Sequence, residues 1–195
     1  MNLSEKNQLI WDEAFERQDL RNDTGHAQTV TEFATKLGEI LHADLDIIIP
    51  SAILHDTGYY GMSSSELNDM MAKKLSEERT KEIKKEHMDN GVRFAKELLD
   101  KINYDSQKIE LILHIIQYHD TKIEPITIEE KIVRDADKLW RYSQKGFFLD
   151  IKRQNKTIVS HLDKLRSNLN RDDYFYTKEA VELADELLNK IKEQS

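Results

Sequence analysis

The chain has 195 residues with a formal net charge of -8, 6 Gly, 2 Pro and no Cys. That length suits one domain with its own core, and so few turn-forming residues exclude a sandwich or barrel, so the predicted fold class is all-α. The missing Cys excludes disulfides and thiolate chemistry and leaves His and carboxylate to hold any metal, while the acidic balance argues against a nucleic-acid-binding face.

The start, MNLSEKNQLIWDEAF, has neither the basic nor the apolar segment of an export signal. Nowhere does the chain reach the roughly 20 apolar residues that span a membrane. A soluble protein in the cytoplasm is therefore expected. Apolar residues at positions 3, 9, 10, 11, 14 and 15 predict a helix from Leu3 to about Leu20, capped by Asn2 or Ser4. Asp23 or Thr24 can cap a second helix through Leu41, with Val30, Phe33, Ala34, Leu37 and Leu41 on one face and His26 in its first turn. Leu45 to His55 is a nearly unbroken apolar run in which Pro50 begins the final turns of a buried helix. Residues 57 to 65 read as a loop and 66 to 79 as a short polar helix or mobile flap.

From about Lys81 to Leu99 the apolar spacing is again helical, and Ile109 to His119 is a strongly apolar helix, with the turn NYDS between them. Thr127, with Glu130 three residues on, predicts a capping box at the start of a helix reaching Tyr142. The remainder gives two or three amphipathic helices packed over the front of the bundle, with nothing catalytic by residue type.

Chemistry concentrates at His55 and Asp56. A carboxylate beside an imidazole at the close of a buried helix is costly unless a cation compensates it. A helix-ending His-Asp on an exposed surface is common, however, so the dipeptide alone decides nothing. His26 opens one apolar helix and Asp137 lies in another, and packed helices could bring all four groups to one inward point. Two imidazoles and two carboxylates suit Mn, Fe, Co, Ni or Zn and leave coordination positions for water and substrate. Asp135 and Asp137 point about 200° apart on a helix and cannot both face one ion, and periodicity does not choose between them.

The stretches TGHAQTVTEFATKLG, AILHDTG and IVRDADKLW resemble the HD-domain superfamily of metal-dependent phosphohydrolases, whose pattern is a His, then His-Asp, then a distant Asp. The intervals, 29 residues from 26 to 55 and 81 from 56 to 137, are ordinary for that family. The resemblance covers roughly residues 20 to 145. It implies an HD-domain-like helical bundle over residues 1–195, with the helices of 146–195 packed on the family-like core. It also implies His26, His55, Asp56 and Asp137 as metal ligands and His55 and Asp56 as the catalytic pair. The family's final Asp precedes a stretch such as DKLW, which selects Asp137 and leaves Asp135 as a supporting or surface residue. His87 and His119 resemble the extra histidines of HD proteins that bind a second ion, with Asp56 as the bridge, although each could equally be a helix histidine of structural use.

The implied cofactor is one or two divalent transition-metal ions, and the implied substrate a small phosphorylated molecule, a nucleotide or other phosphate ester, attacked by a metal-activated water whose proton passes to Asp56 or a pocket histidine. Phosphate binding needs fixed positive charge. The cations nearest the motif are Lys122, Lys138, Arg141, Arg17 and Arg21, Arg141 being favoured because it lies one turn after Asp137. Tyr59 and Tyr60 could line the pocket. His114 is assigned to the core, and His42 and His161 to surface or hydrogen-bonded structural roles. Two rivals remain, a non-catalytic HD-type signalling module and an HD-type di-iron oxygenase. No Walker loop or GxSxG elbow is present.

Overall fold

The computed structural model describes residues 3–193, and among them there are helices but no strand. In α1 (Glu5–Ala14) the Ser4 hydroxyl accepts from the Asn7 N–H at 3.3 Å. Asn2, the other candidate cap, lies outside the described residues. The sequence predicts this helix to Leu20, but it stops at Ala14 and a 3₁₀ turn (Phe15–Arg17) follows. Past Phe15 the run ERQD offers no apolar face to bury, so tertiary packing has nothing to hold a further helical turn.

Asp19 then takes a left-handed φ of 56°. That bend decides how α2 (His26–Ile40) begins. Neither Asp23 nor Thr24 caps it, contrary to the sequence reading. Its cap is Gly25, at φ 89°, without a side-chain bond. The Asp19 carboxylate accepts instead from the Gly25 N–H at 2.6 Å and the Ala27 N–H at 3.0 Å, supplying negative charge at the helix start. His26 is thereby fixed as the first residue of the helix.

Asp44 caps α3 (Leu45–Leu54), which is buried from Ile47 to Leu54. Pro50 lies inside the helix, so the carbonyl of Asp46, four residues back, loses its donor. The Tyr104 hydroxyl replaces it, donating to Asp46 O at 2.6 Å. His55 closes α3, and Asp56 leads into a second 3₁₀ turn (Thr57–Tyr59).

Residues 66 to 79 divide differently from the sequence reading. Helix α4 (Ser64–Met71) starts earlier and ends sooner. The long α5 (Glu77–Lys101) begins about a turn before Lys81 because Ser76 Oγ accepts from the Arg79 N–H. Asp105 likewise starts α6 (Ser106–Tyr118) ahead of Ile109. In α7 (Ile128–Leu139) Thr127 Oγ1 accepts from the Glu130 N–H at 3.2 Å. The Glu130 carboxylate reaches back to the Ile126 N–H at 2.8 Å, one residue beyond the Thr127 N–H of a reciprocal capping box. The helix ends at Leu139, and residues 140 to 142 form a third 3₁₀ turn rather than more α-helix.

Three helices complete the chain, α8 (Gln144–Gln154), α9 (Ile158–Leu169) and α10 (Lys178–Glu193). The buried α3 is the axis of the bundle, with α1, α2, α6 and α7 packed around it. Helix α5 packs on α6 and on the turn after Asp56. A Cβ at Gly58 would lie 1.7 Å from His87 O and 2.5 Å from Gly91 N, so only glycine lets that turn touch α5. A smaller cluster of Tyr59, Leu67, Met70 and Ile83 holds α4 beside this junction.

Asp135 is fully buried and accepts from the N–H groups of Tyr176 and Thr177 and from the Thr177 hydroxyl. It is thus not at the surface, and its carboxylate ties α7 to the entry of α10. Among the described residues no helix is long and apolar enough to cross a membrane.

Candidate metal centre

The C-terminus of α3, the N-terminus of α2, the middle of α5 and the end of α6 meet at Asp56. Its two oxygens face different imidazoles. Oδ2 lies 3.2 Å from His26 Nε2 and 3.2 Å from His55 Nε2. Oδ1 lies 3.5 Å from His119 Nε2 and 3.8 Å from His87 Nε2. Within each pair the ring nitrogens also approach one another, at 3.1 Å for His26 and His55 and 3.4 Å for His87 and His119. In each of the trios His26, His55, Asp56 and Asp56, His87, His119, one ligand atom per residue lies within 4.8 Å of the others, close enough to hold an ion. Asp137 stands at the rim, its Oδ1 3.4 Å from His26 Nε2 and 3.8 Å from His55 Nε2.

The donor chemistry fits a divalent cation. His55 Nδ1 is 2.7 Å from Ala52 O, and His119 Nδ1 is 2.8 Å from Ile116 O. A carbonyl can only accept, so both Nδ1 atoms carry a proton, and Nε2 is the nitrogen that each ring turns toward Asp56. The four imidazoles are all buried, and His26 Nδ1 and His87 Nδ1 have no hydrogen-bond partner among the described residues. Tyr59 stacks on His87 with ring centroids 4.1 Å apart, fixing the ring plane. Trp140 meets His26 edge-on.

The protonation pattern follows. Burial pushes His87 down to about 3, reinforced by His119, so it stays neutral as a ligand must. At His55 burial also favours the neutral ring, but Asp56 and Asp137 outweigh it and push the group up to about 9, so without metal a proton occupies this electronegative spot. Burial would raise Asp56, yet the Arg21 guanidinium, His55 and bonds from His119 and His26 hold it well below the usual carboxylate range. Asp137 is also lowered, its burial outweighed by His26 and His55.

Beside this cluster lies a cavity of about 240 Å³ lined in part by Arg21, Lys84, Asp120, Trp140, Arg141 and Arg153. Arg21 grips Asp56 Oδ2 and also bonds Asp23 at 3.0 Å. Arg141 lies on the cavity wall, paired with Asp150 at 3.3 Å. Lys122 does not line the cavity. It is exposed on the loop after α6, three residues beyond His119 and past the turn that carries the chain away. Tyr60 is 47% exposed and packs under Arg17 on another face; its neighbour Tyr59 is the ring turned inward. Residues one apart along this turn point to different sides, and no sequence signal distinguishes them.

His114 is half-exposed rather than in the core, 3.4 Å from Glu130. His42 is exposed, at a left-handed φ of 53°. His161 is buried against Phe147, but among the described residues neither ring nitrogen has a hydrogen-bond partner, contrary to the expected structural bond. The sequence reading missed Asp150 and Arg153 as cavity residues, because α8 looks like an ordinary amphipathic helix and only its docking onto the turn at 140–142 brings them there.

Residues 24–142 match the family model of the HD domain. The chain belongs to the HD-domain family. HD domains bind divalent metals, and the two trios around Asp56 could hold them. Two solved structures are similar to this HD protein. One is a predicted HD superfamily hydrolase from an uncultured Thermotogales bacterium, at 22% identity and a TM-score of 0.58 over 97% of this chain and 86% of that one. The other is YpgQ of Bacillus subtilis, at 21% identity and a TM-score of 0.55 over 97% and 94%. At these identities the likeness establishes the shared fold. No curated protein matches the chain.

Proposed function

We propose that this HD protein is a metal-dependent phosphohydrolase acting on a nucleotide or other small phosphate ester. The observation that carries the reading is the carboxylate of Asp56 set between two buried histidine pairs, one on each oxygen, at the wall of a cavity rich in cations. His26, His55, Asp56 and Asp137 would hold one ion, and His87, His119 and the other oxygen of Asp56 a second. A transition-metal ion such as Mn, Fe, Co, Ni or Zn supplies, when bound, an acidified water and positive charge for phosphoryl oxygens.

The chain's own groups complete the site. The carbonyls of Ala52 and Ile116 hold the Nδ1 protons of His55 and His119, so Nε2 of each ring is the nitrogen left to bind an ion. Arg21 keeps Asp56 ionised and thus able to bridge. Arg141, at the cavity wall, meets phosphate oxygens. No group of the protein need be covalently modified.

The test is a phosphatase and phosphodiesterase screen with added Mn, Co, Ni or Fe. Hydrolysis is expected with at least one metal, and His55→Ala or Asp56→Ala should abolish both bound metal and turnover. Variants that keep full activity would refute the assignment, and silence of the wild type under every metal would favour a binding module. The same six-residue arrangement also favours an HD-type di-iron oxygenase as a second reading, which oxygen uptake by the reduced iron form would reveal.

A further inference from the structure

Most of the charged groups around the cavity beside Asp56 are paired with an opposite charge. Arg21 is paired with Asp23 and Asp56, Lys84 with Asp120 at 2.7 Å, and Arg141 with Asp150. Arg153, on the last turn of α8, lines the same cavity and is half-buried, yet among the described residues no carboxylate lies within ion-pair distance of it. Its guanidinium donates to the backbone carbonyl of Arg21. A neutral carbonyl leaves most of a desolvated cation's charge uncompensated. Burial accordingly lowers its proton affinity; Asp23 and Asp150 oppose this from a distance, and Arg21 and Arg141 add to it.

The placement of this cation is specific. Arg21 spans the distance between Arg153 and the metal-facing carboxylate, its guanidinium on Asp56 and its carbonyl under Arg153. The Arg153 head group therefore stands one arginine away from the histidine cluster, with open cavity beside it. Lys73, exposed on the same wall and likewise without an ion pair among the described residues, extends the positive edge outward. It lies near Lys156, whose proton affinity is lowered by burial and then by Lys164 and Lys73. Arg153 is also outside the residues that match the family, 24–142, so this feature belongs to the chain's own C-terminal helices.

We propose that Arg153 binds a second anionic group of the substrate, set back from the phosphate at Asp56, so that the preferred substrate is a phosphate ester bearing a further phosphate or carboxylate. This rests on the phosphohydrolase reading for the identity of the first group. Arg153 acts as a binding residue and does not touch the reacting atoms. A charge-assisted, partly desolvated contact of this kind is worth about 1.5 kcal/mol or more, a factor of about ten in affinity.

The experiment titrates the full-length, metal-loaded chain, with Mn in excess, with three non-hydrolysable probes: methylphosphonate, methylenediphosphonate and phosphonoacetate. Binding is followed by calorimetry and by tryptophan fluorescence, Trp140 being the one of the two tryptophans that lines the cavity. Methylenediphosphonate is expected to bind at least about tenfold more tightly than methylphosphonate. Arg153→Met should erase that advantage and leave methylphosphonate within about twofold of wild type, while Arg153→Lys retains part of it. A gain by phosphonoacetate would assign a general anion subsite, and a gain by the diphosphonate alone a phosphate subsite. Equal weakening of all probes in Arg153→Met, or no weakening in a variant that melts as the wild type does, would overturn the proposal. Because binding is read without turnover, a chain that shows the Arg153 effect but hydrolyses no ester would keep the subsite and overturn the hydrolase reading.

Discussion

Each oxygen of Asp56 has its own pair of imidazoles, and the side chains around it titrate in opposite directions as a result. In the metal-free chain His55 is pushed up to about 9 from an ordinary 6.5, so the folded state holds a proton that the unfolded chain releases. That contribution to stability is complete below about pH 6.5 and is lost as pH rises through 9. His87 is pushed down to about 3, so below pH 6.5 the unfolded chain takes a proton the folded one refuses, and stability falls as pH drops. The melting temperature of the metal-free protein should therefore peak near pH 6.5 and decline toward 9. Metal loading should remove the alkaline decline, since a cation displaces the His55 proton. A metal-free melting temperature that rises between pH 6.5 and 9 would contradict this protonation pattern.

At this scale the sequence was informative where residue type and position coincide. His26, His55, Asp56, His87 and His119 are singled out by pattern, and the structure brings all five together. It was uninformative where a side chain's direction decides. Tyr59 and Tyr60 are adjacent and chemically identical, yet only the first stacks on His87. Asp135 and Asp137 are two residues apart, and one holds Thr177 ahead of α10 while the other faces the histidines.

Helices were legible from apolar spacing, and their ends much less so. Ser76, Asp105 and Thr127 cap α5, α6 and α7 through ordinary local bonds of the kind that sequence encodes. The start of α2 depends on Asp19, six residues before Gly25 and outside any local capping pattern, so reading Asp23 or Thr24 as the cap fails. Pro50 inside α3 survives because Tyr104, far along the chain, replaces the missing donor. The junction between elements that matters most for the site is Gly58 against α5. Gly58→Ala should displace the turn from His87 by steric overlap with backbone, destabilising the protein by about 3 kcal/mol and weakening binding at the His87 and His119 pair. Chemical denaturation and metal titration check this. An alanine variant of unchanged stability would show that the turn has room to move.

Over the whole molecule, the region matching the HD domain ends at residue 142, and three helices follow. They are not an appendage. Helix α10 packs on α7 and α2, Asp135 anchors its entry, and α8 supplies Asp150 and Arg153 to the cavity. We propose on this basis that the chain folds as one cooperative unit. Calorimetry should show a single transition, with calorimetric and van't Hoff enthalpies in agreement; two separable transitions would place the C-terminal helices in a unit of their own.

The central claim is that one carboxylate, Asp56, serves two ions held by two histidine pairs. Elemental analysis of the chain purified without chelator and resaturated with metal tests it most directly. About two ions per chain are expected for the wild type and about one for His87→Ala, since the His26 and His55 side is left intact. A wild type holding no more than about one ion, or a His87→Ala variant with the wild-type metal content, would contradict it.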